Sequence, residues 1–131
     1  SPSMNFAAGV LEGNPEAKHL ITPSGGSIEI GTCPYPAGTK MELGFRPEHM
    51  EVAEKADHNE DQISINAQIS VVEPMGHETI LICETAFGEI TGKYTGARKL
   101  IPTQQVHFQV NKEKLHYFDA QTGKRLEVPS A

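Results

Sequence analysis

At 131 residues the chain has the length of one domain, large enough to bury a core without disulfide or metal staples. Its 17 acidic side chains against 11 basic ones leave a formal charge of −6, the wrong sign for a nucleic-acid partner, which needs a cationic footprint. No apolar run approaches the ~18 residues of a membrane span, and no charged-then-apolar leader opens the chain. Because the first residue is Ser1 rather than Met, the chain is expected to be a domain excised from a longer protein. Cys33 and Cys83 stand far apart, outside any CxxC pair, and Cys83 sits in an apolar stretch where a reduced, buried thiol is expected; a reducing cytoplasm fits that usage.

Phe6 and Val10-Leu11 are strand material, with Gly9 and Gly13 as punctuation. Asn14 to Lys18 has turn character, with room for one helical turn. His19-Leu20-Ile21 leads into the turn cluster Pro23-Ser24-Gly25-Gly26-Ser27, and Ile28-Glu29-Ile30 returns as a short strand. Ser24-Gly25-Gly26 lacks the lysine and hydroxyl of a phosphate loop, so it reads as a hairpin turn. Cys33 to Gly38 reads as an irregular, exposed, proline-rich loop.

Met41, Leu43 and Phe45 then alternate with Lys40, Glu42 and Gly44, the period of a half-buried strand. Pro47 has no N–H for a ladder and ends that strand, and the position before it holds Arg46 extended, which favours Arg46 and Glu48 on one side. Glu51 to Asp61 is mostly polar and reads as a solvated loop; its Asp57-His58-Asn59-Glu60-Asp61 cluster lacks the spacing of a calcium loop.

Ile63, Ile65, Ala67, Ile69 and Val71 alternate with polar residues, as in an antiparallel strand with one wet face. Val71-Val72 breaks the phase and Glu73-Pro74-Met75-Gly76 bends the chain. Thr79 to Glu84 is apolar on both parities and is expected to be more deeply buried. Phe87 to Gly92 is a short strand with glycines near its ends, and Ala97 to Gln105 is a loop. Val106, Phe108 and Val110 mark another strand, Asn111 to Lys114 a turn or single helical turn, and Leu115 to Asp119 a last strand. Asp119 and Gly123 supply the turn of a closing hairpin. With no helix-length amphipathic segment, the prediction is an all-β domain, an OB-fold-like five-stranded barrel or sandwich with extra short strands and long loops.

Catalytic signals are absent. The chain holds no GxxxxGK[ST], no GxSxG and no HExxH, and its six histidines form no metal-ligand pair in sequence. An oligonucleotide reading, which an OB barrel invites, conflicts with the acid excess and the lack of tryptophan.

Four separated strings carry a resemblance. Gly44-Phe45-Arg46-Pro47-Glu48-His49 is similar to the Gly-(Ile/Val)-Arg-Pro-Glu-His signature in the C-terminal regulatory domain of MalK/UgpC-type sugar-importer ABC ATPases. Ser1 to Phe6 resembles the start of that domain. Val72-Glu73-x-x-Gly76-x-Glu78 resembles its Val-Glu-x-Leu-Gly-x-Glu motif, with Pro74-Met75 departing before the glycine. Leu115 to Leu126 resembles its closing Leu-His-x-Phe-Asp-x-x-Thr-Gly-x-Arg-Leu.

The resemblance implies a single regulatory domain of the TOBE (transport-associated OB) type over residues 1–131. It would come from a cytoplasmic ATPase subunit that meets membrane subunits at the inner face of the membrane. In that family such domains pair, hold the ATPase subunits together and receive regulatory proteins; ATP and magnesium would bind the absent ATPase portion, and this chain would hold no cofactor. The expected contact surface is Gly44, Arg46, Pro47, Glu48, His49, Glu73, Gly76, His77, Glu78, Phe118 and Asp119. The alternative is binding of a molybdate-like oxyanion, with which Ser1, Ser3 and Asn5 are compatible.

Overall fold

The computed structural model describes residues 3–53 and 59–127. Eleven strands run in the order β1 (Asn5–Glu12), β2 (Lys18–Ile21), β3 (Ser27–Gly31), β4 (Lys40–Phe45), β5 (Met50–Ala53), β6 (Gln62–Pro74), β7 (Thr79–Thr85), β8 (Gly88–Tyr94), β9 (Gln105–Asn111), β10 (His116–Asp119) and β11 (Arg125–Leu126). Among the described residues the only helical turns are two of 3-10 type, Pro47–His49 and Lys112–Lys114. The strands form two antiparallel sheets, β11-β10-β4-β1-β2-β3 and β5-β9-β6-β7-β8. The all-β, OB-like class read from the sequence is the one found.

One core lies between the sheets, filled by the inward rows Ala7 and Leu11, Met41 to Phe45 on alternate positions, Ile63 to Ile69 likewise, and Val106, Phe108 and Val110. The five-stranded sheet curls until its edges, β5 and β8, touch. Gly92 permits that curl: a Cβ there would lie 3.0 Å from two ring carbons of Phe108. At the β8 edge, Asn5 from the other sheet acts as a missing strand. Its Nδ2 donates to the Thr91 carbonyl at 2.8 Å, and its Oδ1 accepts the Thr91 N–H at 2.9 Å. A buried edge would otherwise leave these two backbone groups unpaired.

Several expectations change. Residues 50–53 are not solvated loop but the edge strand β5, with Met50 opposite Val110 and Val52 opposite Phe108; four residues are too few to show a period. Residues 54–58, including Asp57 and His58, lie outside those described. Cys33 is buried, its N–H bonded to the Pro15 carbonyl, so the proline-rich loop starts in the core. Gly9 and Gly92 lie inside strands rather than at their ends. Lys18, read as turn, begins β2 facing inward at 3 % exposure, its ammonium donating to the Tyr35 carbonyl at 2.5 Å. β7 is central, but only Leu81 and Cys83 are buried; Ile80 and Ile82 are half-buried on the outer face.

The phase break in β6 is a bulge between Ile69 and Val71, which turns Val71 outward. Both cysteines are free, and burial, with Glu84 adding to it, pushes the Cys83 thiol up to about 11.

Candidate interaction surface

β4 delivers Gly44 to a crowded point on the outer face of the six-stranded sheet. In the register, Phe6 and His116 flank it. Met4, Phe6 and Phe118 close over it, so that a Cβ at residue 44 would strike the Met4 sulfur and approach the Phe118 ring to 3.2 Å. Phe6 and Phe118 meet edge-to-face with centroids 6.0 Å apart, and Phe6 remains 48 % exposed. Two aromatics in this geometry form an apolar platform beside water.

The chain leaves β4 through Arg46, extended as the following proline requires (φ −90°, ψ 144°). Pro47 is buried at the first position of the 3-10 turn, while Arg46 and Glu48 are exposed and His49 is half-buried. Arg46, His49 and Arg125 all come within electrostatic reach of His116 here. The His116 imidazole is held below its ordinary value first by burial, then by Arg125, Arg46 and His49. The Nδ1 atoms of His49 and His116 are buried without a hydrogen-bond partner.

Glu48 points elsewhere. With Glu78, Lys93 and Tyr94 it lines a cavity of about 410 Å³ at the β5–β8 contact, where Lys93 and Glu78 pair at 3.7 Å. Gly76 and His77 form the exposed tip of the β6–β7 hairpin, closed by the Met75 N–H on the Glu78 carbonyl at 2.8 Å. Glu73 is exposed opposite Ile80. Val71 (43 % exposed) and Met75 (58 %) stand on the same hairpin.

Asp119 serves its own turn: its Oδ1 accepts the N–H groups of Gln121 (2.8 Å) and Thr122 (3.0 Å), which hold the carboxyl below the ordinary carboxylate range. Ten of the eleven residues singled out in sequence thus fall into three places, and Asp119 stays in its own turn. Gly44, Arg46, His49 and Phe118 share the aromatic face, with Pro47 buried beside it. Glu48 and Glu78 meet at the cavity; Glu73, Gly76 and His77 occupy the hairpin. His116 and Arg125 were not singled out, although both lie inside the Leu115 to Leu126 string.

For the oxyanion alternative, Asn5 has both ends of its amide committed to Thr91, Ser3 is exposed, and Ser1 lies outside the described residues. No group of three or more potential metal ligands occurs among the described residues.

A family model described as the TOBE domain matches residues 43–118, more than half of the chain. The chain is 28 % identical over 131 residues to the sulfoquinovosyl glycerol transport ATP-binding protein SmoE of Agrobacterium fabrum, covering 96 % of this chain and 34 % of that protein. It is 32 % identical over 133 residues to the sn-glycerol-3-phosphate import ATP-binding protein UgpC of Ruegeria sp., covering 96 % and 32 %. The maltose/maltodextrin import ATP-binding protein MalK of Photobacterium profundum is 33 % identical over 82 residues, covering 60 % and 21 %. The chain therefore spans about a third of the length of the full-coverage relatives, which are MalK/UgpC-type ATP-binding proteins. Among solved structures, the molybdate-binding protein ModG superposes with a TM-score of 0.65 over 86 % of this chain and 94 % of that one, at 11 % identity, a likeness of fold.

Proposed function

The chain belongs to the TOBE domain family, and on that premise we propose that it is the regulatory and dimerising domain of the ATP-binding subunit of a sugar-importing ABC transporter. Residues 1–131 are then one regulatory domain. ATP and magnesium bind a separate ATPase portion, and the assembly works at the cytoplasmic face of the membrane with its membrane subunits. The observation that carries this reading is the full-length match of this chain to about a third of transport ATP-binding proteins. No phosphate loop occurs in the chain, so its part is not hydrolysis.

The physical need is a contact outside the ATP site. Closure of two ATPase subunits on ATP must reverse after hydrolysis, and a second contact keeps the subunits at high effective concentration while they are apart. Two surfaces are assigned to the work. The β6–β7 hairpin, with Glu73, Gly76, His77 and Glu78 around exposed Val71 and Met75, makes the contact between copies. The face of Gly44, Arg46, His49 and Phe118 receives a regulatory partner; Glu48 lies at the cavity between the two surfaces, and Asp119 shapes the turn beside the second.

Grafting tests the reading. This chain replaces the corresponding third of the Ruegeria UgpC-type subunit, and uptake of its substrate is measured. A folded chimera that supports import agrees with the proposal; a folded chimera that assembles with the membrane subunits but never imports contradicts it. The fold likeness to ModG favours a second reading, oxyanion binding. Calorimetric titration with molybdate, tungstate and phosphate separates the two, and no heat of binding is expected.

A further inference from the structure

We infer that the face around Phe118 docks an acidic segment of a partner protein. Its carboxylates would lie against Arg46, His49, His116 and Arg125, and an apolar side chain would rest on the Phe6–Phe118 pair. The inference rests on the regulatory reading above and gives that surface a partner chemistry.

The charge of this face opposes that of the chain. The protein carries a formal −6, yet the groups that act on His116 by charge are Arg125, Arg46 and His49, all cationic or able to become so. They come from β11, the residue before the 3-10 turn, and the turn itself. The nearest acids do not neutralise them. Asp119 is bound by its turn amides, Glu48 lines the cavity at the β5–β8 contact, and Glu42 sits opposite Phe118 without an ion pair. Neither guanidinium pairs with a carboxylate among the described residues.

The histidines add donors. Nδ1 of each ring is buried without a partner, which leaves Nε2 as the nitrogen to meet a carboxylate, and a carboxylate docked there would favour the protonated ring. A lone small anion is disfavoured by shape. Arg125 borders the larger of the two described cavities, but Arg46, His49, His116 and Phe118 line neither, and small ligands need a concavity that gathers their contacts. Arginines beside the exposed Phe6 and the half-buried Phe118 have instead the composition of a protein-binding hot spot. Planar guanidinium groups suit carboxylates in two-point contact.

The probe is a fluorescein-labelled short peptide of alternating Glu and Leu, titrated into the 131-residue chain by anisotropy. Control peptides alternate Lys with Leu and Glu with Ser. The inference expects saturable binding of the Glu-Leu peptide that weakens as salt rises. It further expects a loss of about tenfold or more in the Arg46→Glu, Arg125→Glu double variant, a similar loss in Phe118→Ala, and much weaker binding of both controls.

Arg46 and Arg125 are exposed, so the double variant should keep the wild-type melting curve. Equal binding of the Lys-Leu peptide overturns the inference, as does unchanged binding by the double variant. Competition by inorganic phosphate at the peptide's own concentration overturns it in favour of a small-anion site. Self-association that the double variant abolishes overturns it in favour of a second copy. That last result would also move the contact between copies off the hairpin; the others leave the hairpin contact and the import test untouched, so the regulatory reading stands or falls separately.

Discussion

Asn5→Ala removes the side chain that stands in for a strand at the β8 edge. Asn5 is buried at 8 % exposure, and its amide makes both bonds to the Thr91 backbone. If water reaches Thr91 in the variant, the loss is about 1 kcal/mol for each hydrogen bond. If the edge stays closed, each unpaired backbone group costs ~1–3 kcal/mol. Over the two groups a total of roughly 2–6 kcal/mol follows, and at this chain length each kcal/mol is worth roughly 3–6 °C, so Tm should fall by at least about 6 °C. Differential scanning calorimetry reads the fall, and amide exchange should show Thr91 among the most accelerated positions. Asn5→Asp should lose nearly as much, because it keeps the acceptor for the Thr91 N–H but turns a carboxylate oxygen on the Thr91 carbonyl. A Tm within about 3 °C of the wild type, the smallest shift that a whole kcal/mol could produce at this length, would refute this role for Asn5. If such a variant had also lost molybdate binding, Asn5 would be a ligand and not a strand surrogate.

Gly92→Ala drives a Cβ against the Phe108 ring at 3.0 Å and should cost ~1–3 kcal/mol by chemical denaturation, without loss of native secondary structure. Phe118→Ala should shift Tm little, since the ring is only half-buried against Phe6, and should instead weaken partner association in a pull-down; a loss of ~3–5 kcal/mol would place the ring in the core. Acid should destabilise the protein in two stages. His116 is held below its unfolded value of 6.5, so the unfolded chain takes up a proton first and stability declines as pH falls through about 6.5; His116→Asn should flatten that stage. Asp119 is also held below its unfolded value of 3.8, so its contribution is complete above that pH and is lost as pH falls through the lower folded value; Asp119→Asn should remove that stage. The Cys83 thiol, raised to about 11, should stay unmodified by iodoacetamide in native protein at pH 8 and react on unfolding.

Strict alternation made β4, the first half of β6 and β9 legible, because one face of each is buried and the other wet. β5 was not legible, since four residues cannot display a period and the strand exists only through its pairing with β9. The bulge in β6 explains why Val71 looked inward in sequence: an extra residue after Ile69 resets the parity, a change that no local pattern announces. Gly9 and Gly92 read as punctuation because glycine is common in turns, yet Gly92 is needed where the Phe108 ring crosses the strand.

The surface was legible as separate strings but not as places. Gly44 to His49 and Phe118 converge only because β4 and β10 pair, and that pairing is what draws in His116 and Arg125. Asp119 belonged to its string for the sake of the turn. Its side chain is spent on Gln121 and Thr122.

The proposed pairing of this domain with a second copy runs through its β6–β7 hairpin and needs neither nucleotide nor oxyanion. Sedimentation equilibrium of the 131-residue chain over a concentration series tests it most directly. The expected result is a reversible rise from 14.3 kDa toward twice that mass, unchanged by molybdate and abolished by Val71→Glu with Met75→Glu. A single species of 14.3 kDa at every concentration, or a dimer that forms only with molybdate, would contradict it.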